Sequence, residues 1–355
     1  MPIKIKSSGG GSITIDVPST AVDTTLFLPT SNGASIYSNT NTSFSGNLSV
    51  SGANSYININ GDTLSPYASK NRIINGNFDI WQRGNTFTVV NSVNTYSADR
   101  FRTEGYTANT TISQVAFTGG QTDVPDNPSS FCRVALTSTN SNGYWAFQQR
   151  VESPQVMRAY GTYTLSFWIR ATTGTVAAGA WSYGINTAIS GPALTTTWQK
   201  VTHTATLSSA AAEAAGYVSI YLVYLAQNSA AVSFDIAHVQ LEQGSIATSF
   251  ECRPYATEVL LCQRYYVNLG YSTAGSTIGI TCNVTSGANY HYSFQFPTLM
   301  RAAPTLTWTE WTSSNFPGTS ATFQSTGIGG TNVYKNANGT GQGYFLGGYT
   351  ATAEL

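Results

Sequence analysis

The residue types that most often do chemistry in proteins are scattered along this chain. His203, His238 and His291 stand far from one another and from the cysteines, so no zinc-ligand spacing is present. The serine-hydrolase, P-loop and zinc-protease patterns are absent from the sequence. The 16 carboxylates could supply a pair for glycoside hydrolysis, but no spacing singles out a pair. We predict that the protein is not an enzyme and needs no cofactor.

Aromatic residues are better candidates for ligand contact, because the chain has 7 Trp and 21 Tyr. Sugars stack their apolar face on such rings, while amides and hydroxyls bond the rim. The candidates outside clear core patterns lie in a Gly-rich loop and in the region after residue 266: Trp181, Tyr183, Tyr290, Tyr292, Trp308, Trp311, Tyr334 and Tyr344. A small core or a subunit interface explains the same residues equally well.

Composition excludes several partners. Charged residues make up 9% of the chain, against about 25% in ordinary soluble domains. The formal net charge is +0, so no electrostatic footprint for nucleic acid or an anionic membrane exists. We expect no membrane insertion and no secretory signal, since no apolar run is long enough. The 4 cysteines lack a C-x-x-C pair, which predicts free thiols.

The sequence predicts an all-β protein of three parts, since 355 residues exceed one hydrophobic core. Residues 1–70 read as short strands with too few apolar residues for a private core. We interpret them as an elongated trimeric β stem in which three copies complete one another's core, the alternative being a disordered tail. Residues 71–256 predict a central β-sandwich, and residues 257–355 a smaller one.

The central sandwich is predicted from alternating strands. They are expected at Phe131 to Thr137, Tyr144 to Glu152, Gly161 to Arg170, Gln199 to Leu207, Gly216 to Leu225 and Ala231 to Leu241. In the third strand Tyr163, Leu165, Phe167 and Ile169 share one face and Trp168 lies on the other. The alternation slips near Ala237 and His238, which predicts a β-bulge there.

Helix is expected at two places only. Residues 208–216 offer caps at both ends for about two turns. Thr257 is a candidate N-cap for a helix from Glu258 to Tyr266, which would link the two sandwiches.

Five separated sequence words resemble one known family. They are Asn71–Gly84 (NRIINGNFDIWQRG), Tyr96–Phe101 (YSADRF), Val239–Gly244 (VQLEQG), Phe250–Tyr255 (FECRPY) and Leu261–Tyr266 (LCQRYY). Together they resemble a domain found in bacteriophage tail fibres and prophage structural proteins. The resemblance covers residues 71 to 266 and implies a jelly-roll sandwich, similar to galactose-binding and carbohydrate-binding modules.

The resemblance also suggests where a calcium site would lie. Carbohydrate-binding modules with a similar entrance often hold calcium between the acidic residue after Asn-Gly-x-Phe and an aspartate before the closing Val-x-Leu. Asp79 fits the first position, but Ala237-His238 stands where the second carboxylate would be. We therefore predict no metal, with Asp79 as a weak calcium candidate; otherwise Asp79 caps a turn or pairs with Arg83 or Arg100.

The resemblance implies a homotrimeric tail fibre in the virion, made in the bacterial host cytoplasm. Residues 1–70 would attach it to the tail or baseplate, and residues 257–355 would form the tip that contacts host polysaccharide or lipopolysaccharide. One alternative is a virion structural protein that never touches the receptor, such as an adaptor, a collar fibre or a head decoration. Another is a polysaccharide depolymerase.

Overall fold

The computed structural model describes residues 70–89, 94–105, 109–136, 143–152, 161–207, 216–226, 231–270, 278–318 and 321–355, and the backbone of four short strands before residue 65. The chain divides into two compact units, Met1–Pro66 and Tyr67–Leu355.

The first unit contains two antiparallel hairpins. In one, β1 (Ile3–Lys6) pairs with β2 (Ser12–Ile15); in the other, β3 (Ile57–Ile59) pairs with β4 (Asp62–Leu64). The sequence also predicts strands at residues 25–29 and 43–50, and both stretches lie outside the described residues. The assembly of this unit into a trimeric stem stays a prediction.

The second unit begins with a large antiparallel sandwich, as predicted. One sheet has six strands in the order β13-β10-β15-β8-β7-β5 and the other has five in the order β12-β11-β14-β9-β6. The six are β5 (Thr86–Val89), β7 (Thr110–Ala116), β8 (Ser130–Leu136), β10 (Gly161–Ala171), β13 (Gln199–Leu207) and β15 (Ser233–Gln243). The five are β6 (Phe101–Gly105), β9 (Trp145–Glu152), β11 (Ser182–Ile185), β12 (Thr187–Ser190) and β14 (Tyr217–Leu225). Strands cross repeatedly between the sheets, which is jelly-roll connectivity.

The alternation of side chains between the two faces of each strand determines which of them fill the core of this sandwich. Tyr163, Leu165, Phe167 and Ile169 of β10 are all buried in its main core, while Trp168 packs in a separate cluster on the other face. Each large apolar side chain that is fully buried contributes roughly 1.5–3 kcal/mol. The six predicted strands are confirmed, whereas the short strands β5, β6, β7, β11 and β12 were not predicted.

The predicted bulge in β15 is also confirmed. Ser166 of β10 pairs with Gln240 and Trp168 with Ala237, so His238 and Val239 together face a single residue of β10. His238 takes a φ of 50°, a left-handed conformation that one class of β-bulge uses for its extra residue. Its ring stacks on Phe250 with centroids 4.2 Å apart, and burial lowers the pKa of His238 to about 4.

In the segment Asn71–Gly84, which we call the entrance segment, the sequence predicts a turn at Asn75-Gly76 and then an alternating strand with Phe78 and Ile80 on one face. The structure contains turns there and no strand. The amide of Phe78 closes a turn onto the Asn75 carbonyl at 2.9 Å, and the two residues that flank the turn, Asn75 and Phe78, have positive φ values of 60° and 56°. Phe78 and Ile80 are both buried, but they enter different clusters. The strand predicted here is therefore wrong, and the Asn-Gly turn signal is right.

The entrance segment docks beside the end of β15. Asn71 accepts from the Leu241 amide at 3.0 Å and donates to the Val239 carbonyl at 3.1 Å. The Val239 amide then donates to the Gly76 carbonyl at 2.9 Å. Arg253 in turn donates to the Ile73 carbonyl at 3.1 Å. Hydrogen bonds therefore join three of the five sequence words, those at Asn71–Gly84, Val239–Gly244 and Phe250–Tyr255, beside β15.

A helix and a smaller sandwich follow. Helix α1 (Tyr255–Gln263) begins after Pro254 with no side-chain cap, so the predicted Thr257 cap is wrong. The helix predicted at 208–216 lies largely outside the described residues. A four-stranded sheet contains β16 (Tyr266–Leu269), β17 (Ile278–Val284), β19 (Thr305–Ser314) and β22 (Gly341–Thr352). A three-stranded sheet has β18 (Asn289–Gln295), β21 (Gly330–Asn336) and β20 (Thr322–Gln324) in that order.

The two sandwiches meet through arginines stacked on tyrosines. The guanidinium carbon of Arg100 lies 3.5 Å from the ring centroid of Tyr265, and that of Arg83 lies 3.5 Å from the ring of Tyr266. Both arginines also bind the carboxylate of Glu354, near the end of the smaller sandwich. The Arg100 side chain is only 1% exposed, so this contact is a buried ion pair.

The described part of the chain is therefore nearly all β, with one short helix. Within it, no helix combines the length and the apolar character needed to cross a membrane. All four cysteines are free, as predicted.

Candidate functional site

The eight aromatic residues singled out from the sequence do not form one site. Trp181, Tyr183 and Trp308 are buried, with 1%, 5% and 6% of their surface exposed. Trp181 stacks on Tyr183 with centroids 5.2 Å apart, and its indole nitrogen donates to the Pro192 carbonyl at 2.9 Å. A ring whose faces are covered cannot receive a sugar, so these three are core residues rather than ligand contacts.

The other five lie in the smaller sandwich and retain some exposure. Tyr290 and Tyr292 pack against its core, and Tyr344 is partly buried on β22. Trp311 is 37% exposed and donates to the Gly270 carbonyl at 2.7 Å. Tyr334 stacks on His291 with centroids 5.2 Å apart, on the sheet face opposite to Tyr292. Their roles in ligand contact stay predictions.

A different group of tyrosines meets on the outer face of the five-stranded sheet of the large sandwich. Tyr221 and Tyr224 of β14 are three residues apart, a spacing that would put them on opposite faces of a regular strand. A bulge at Leu222 changes this, because Tyr221 pairs with Gln148 while Val223 pairs with Phe147. The bulge brings both tyrosines to one face.

Tyr144, just before β9, completes the group that we call the tyrosine face (Tyr144, Tyr221 and Tyr224). The rings of Tyr144 and Tyr224 are stacked, with centroids 5.3 Å apart and planes at 13°. Tyr221 meets Tyr224 edge-on at 5.7 Å and 78°. All three remain partly exposed. The tyrosine face therefore offers both ring faces and ring edges at one place.

Glu104 of β6 orients the polar groups of this face. It accepts from the Tyr144 hydroxyl at 2.8 Å, from Arg150 at 2.8 Å, and from the amide of Gln148. Arg102 lies 3.5 Å from the same carboxylate. With two arginines beside it and its oxygens occupied, Glu104 holds its neighbours in place and adds little net charge to the face.

The phenols of Tyr144 and Tyr221 stay protonated at neutral pH. Burial, with a further contribution from the hydrogen bond to Glu104, raises the pKa of Tyr144 above its ordinary value. Burial likewise raises the pKa of Tyr221. The hydroxyls therefore keep their protons and remain hydrogen-bond donors.

Neighbouring residues limit the extent of the tyrosine face. On β11, Gly184 lies opposite Tyr221 and Ser182 opposite Tyr224, so a hydroxyl but no bulky side chain of β11 stands beside the rings. On the other side, the Leu355 carbonyl accepts from Arg102 at 3.0 Å and from Arg150 at 3.4 Å. The end of the smaller sandwich thus borders the face on the side of β6 and β9.

This site was not predicted, because the sequence of β14 indicates a central strand that is apolar on both faces. The signal was present, since Tyr217, Ser219 and Tyr221 alternate with Val218 and Ile220. A polar and aromatic face on a central strand indicates a surface that meets a ligand or another element.

Asp79, the weak calcium candidate, is bound by protein donors. Its carboxylate accepts from Asn77 at 2.7 Å, from Ser129 at 2.8 Å and from Ser130 at 3.2 Å. Asp235 is the aspartate nearest in sequence to the place where a calcium site would need its second carboxylate. It forms ion pairs with Arg133 and Arg170 instead. Among the described residues no group of three or more His, Cys, Asp or Glu side chains could hold a metal ion.

No protein-family model matches the sequence, and no curated protein matches it. Solved structures do align with part of it. A Stig cyclase, Fisc from Fischerella sp. TAU, is 12% identical with a TM-score of 0.33, over 50% of this chain and 99% of its own. A carbohydrate-binding module, CBM4, is 18% identical with a TM-score of 0.28, over 48% of this chain and 98% of its own.

The N-terminal cellulose-binding domain of Cellulomonas fimi β-1,4-glucanase C is 20% identical with a TM-score of 0.24, over 34% of this chain and 84% of its own. The aligned structures thus include carbohydrate-binding modules. At these identities and scores they carry no argument about what this chain binds.

Proposed function

We propose that the protein binds neutral glycans through the tyrosine face, without catalysis. The observation that carries the proposal is the Leu222 bulge, which gathers Tyr221 and Tyr224 beside Tyr144 on one sheet face. Ring faces suit the apolar side of a sugar, and the hydroxyls of Ser182 and of the tyrosines suit its rim. The phenols of Tyr144 and Tyr221 carry no charge at neutral pH, and the Glu104 carboxylate is engaged by Arg102 and Arg150, which suits an uncharged sugar at the rings.

Within this function, we propose that the chain is a homotrimeric bacteriophage tail fibre. The support is the set of five separated sequence words and the low charge. Residues 1–70 would attach the fibre to the tail or baseplate, and the sandwiches would meet host polysaccharide or lipopolysaccharide. Three copies of a shallow site on one trimer gain avidity from effective concentration, so no single site needs to be deep.

The glycan proposal predicts a loss of binding when the tyrosine face is truncated. Tyr221→Ala and Tyr224→Ala are each expected to weaken binding to neutral polysaccharide about 5- to 150-fold, since one stacked ring contributes on the order of 1–3 kcal/mol. The measurement is retardation in native gels that contain dextran, galactomannan or polysaccharide from the host envelope.

Two matched variants sharpen this test. Tyr221→Phe keeps the ring and should stay within about threefold of the parent, because stacking needs the ring and not the hydroxyl. Tyr334→Ala removes a partly exposed tyrosine from the smaller sandwich and should leave retardation unchanged. If Tyr334→Ala abolishes retardation while Tyr221→Ala does not, the binding site lies in the smaller sandwich and the proposal fails.

The fibre proposal predicts a trimer. Sedimentation equilibrium of the full chain should return three times the 37.8 kDa chain mass, and the purified trimer should delay adsorption of the phage to its host. A monomer at micromolar concentration would refute the trimer. A trimer that neither binds host cells nor delays adsorption would support the alternative of an adaptor, collar or head decoration protein. Release of reducing ends from envelope polysaccharide would instead indicate a depolymerase.

A further inference from the structure

A concave region, separate from the tyrosine face, lies between the entrance segment, the strands β7 and β8, and helix α1. It consists of three adjoining cavities of about 180, 570 and 550 Å³. All three are lined by Asp79 and by Tyr255. We call this region the Asp79 cleft.

Tyr255 supplies an aromatic surface. It is the first residue of α1 and is 65% exposed, so its ring has no role in a core. The start of the helix is nevertheless held firmly. Glu258 pairs with Arg253 at 2.9 Å and accepts from the Asn75 amide at 2.5 Å. Because the backbone that carries this exposed ring is rigid, little conformational entropy is lost when a ligand stacks on the ring.

Asp79 supplies an oriented acceptor. Its carboxylate accepts from Asn77 and Ser129, and the Ser130 hydroxyl shares its one proton between Asp79 at 3.2 Å and the Phe78 carbonyl at 3.1 Å. A carboxylate has about four lone-pair positions, so one acceptor position remains beyond these three. Hydrogen bonds to an ionised acceptor are roughly twice as strong as neutral ones. The amides of Asn85 and Gln114 line both larger cavities beside it.

The charge of the lining restricts the ligand. Among the residues that line the two larger cavities, Asp79 is the only charged one. In the smallest cavity Arg253 is paired with Glu258, and Glu251 is engaged by the Asn71 amide. Phosphates and carboxylates would be repelled, since the lining offers them no unpaired cation.

We propose that the Asp79 cleft is a separate carbohydrate site that takes a single neutral hexose unit. The sugar stacks on Tyr255, and its hydroxyls donate to Asp79 and bond the Asn85 side chain and the amide oxygen of Gln114, whose nitrogen already donates to the Phe78 carbonyl at 3.1 Å. Cavities of about 550 Å³ fall in the usual range for small-ligand sites. This site shares no residue with the tyrosine face, so it stands even if the tyrosine face binds nothing.

The test uses saturation-transfer NMR on the full chain with three probes: the methyl glycosides of galactose, glucose and mannose. The background variant carries Tyr221→Ala and Tyr224→Ala, which removes the tyrosine face. We expect at least one probe to retain its signal in this background. Adding Tyr255→Ala should abolish that signal, adding Asp79→Asn should weaken binding at least tenfold, and adding Tyr255→Phe should preserve it.

Tyr255 is exposed in the first helical turn, where alanine is well tolerated, so its loss is not expected to unfold the protein. Unchanged circular dichroism and melting temperature check this. Loss of all probe signals in the background variant, or a signal that survives Tyr255→Ala, would overturn the proposal. Protonated glucosamine that binds more than tenfold tighter than the neutral probes would overturn the neutral-hexose assignment.

Discussion

Arg100→Met is expected to lower the free energy of unfolding by about 3 kcal/mol. Arg100 is 1% exposed, stacks on Tyr265 and binds Glu354, whose side chain is 4% exposed. Methionine fills a similar volume but leaves the Glu354 carboxylate buried with only Arg83 to compensate it. Breaking one side of a buried pair is costly because the remaining charge stays out of water. Urea unfolding of the full chain measures the change.

Arg264→Met is the matched control for this prediction. Arg264 also joins the two sandwiches, through Glu152 at 3.1 Å, but it is 32% exposed. Solvent screens such a pair, so the expected loss is below about 1 kcal/mol. Equal effects of the two substitutions would show that burial of the Arg100 pair does not determine the stability of this contact.

Gly76→Ala is expected to lower the free energy of unfolding by about 2–3 kcal/mol. A Cβ atom at Gly76 would lie 2.1 Å from the carbonyl oxygen of Val239, a backbone atom that cannot rotate away. The entrance segment would have to separate from β15, and the hydrogen bond from Val239 to Gly76 would be lost. The measurement is the urea midpoint at an unchanged m-value.

Gly119→Ala is the control for this second substitution. A Cβ at Gly119 meets nothing within 4 Å, so its effect should stay within about 0.5 kcal/mol. A Gly76→Ala variant as stable as the parent would contradict the docked position of the entrance segment.

The Gly76 contact also explains why part of the fold was predictable. The words NRIING and VQLEQG are far apart in sequence, yet their backbones touch too closely for a side chain at Gly76. Such a contact restricts the residue types at Gly76 and around Val239. The two words therefore form one sequence signature of this fold. The bulge at His238 was predictable for a related reason, because it shifts the phase of a strongly alternating strand.

The candidate site was less predictable. Trp181 lies in a Gly-rich loop, which suggested exposure. In the structure a Cβ at Gly191 would lie 2.2 Å from the Trp181 ring, so this glycine makes room for a buried indole. The tyrosine face depends on a bulge at Leu222, and because Leu222 and Val223 are both apolar, the sequence does not show which of them is the extra residue. Local patterns specify strands, whereas the meeting of Tyr144 with Tyr224 depends on strand pairing across the sheet.

The central claim is that a neutral sugar stacks on the tyrosine face. The most direct test is a crystal structure of the full chain with the shortest oligosaccharide that competes with retarding polysaccharide in native gels. We predict a sugar ring within about 4 Å of the Tyr221 or Tyr224 ring. A sugar bound on the smaller sandwich around Tyr334, with the tyrosine face empty at saturating ligand, would contradict the claim.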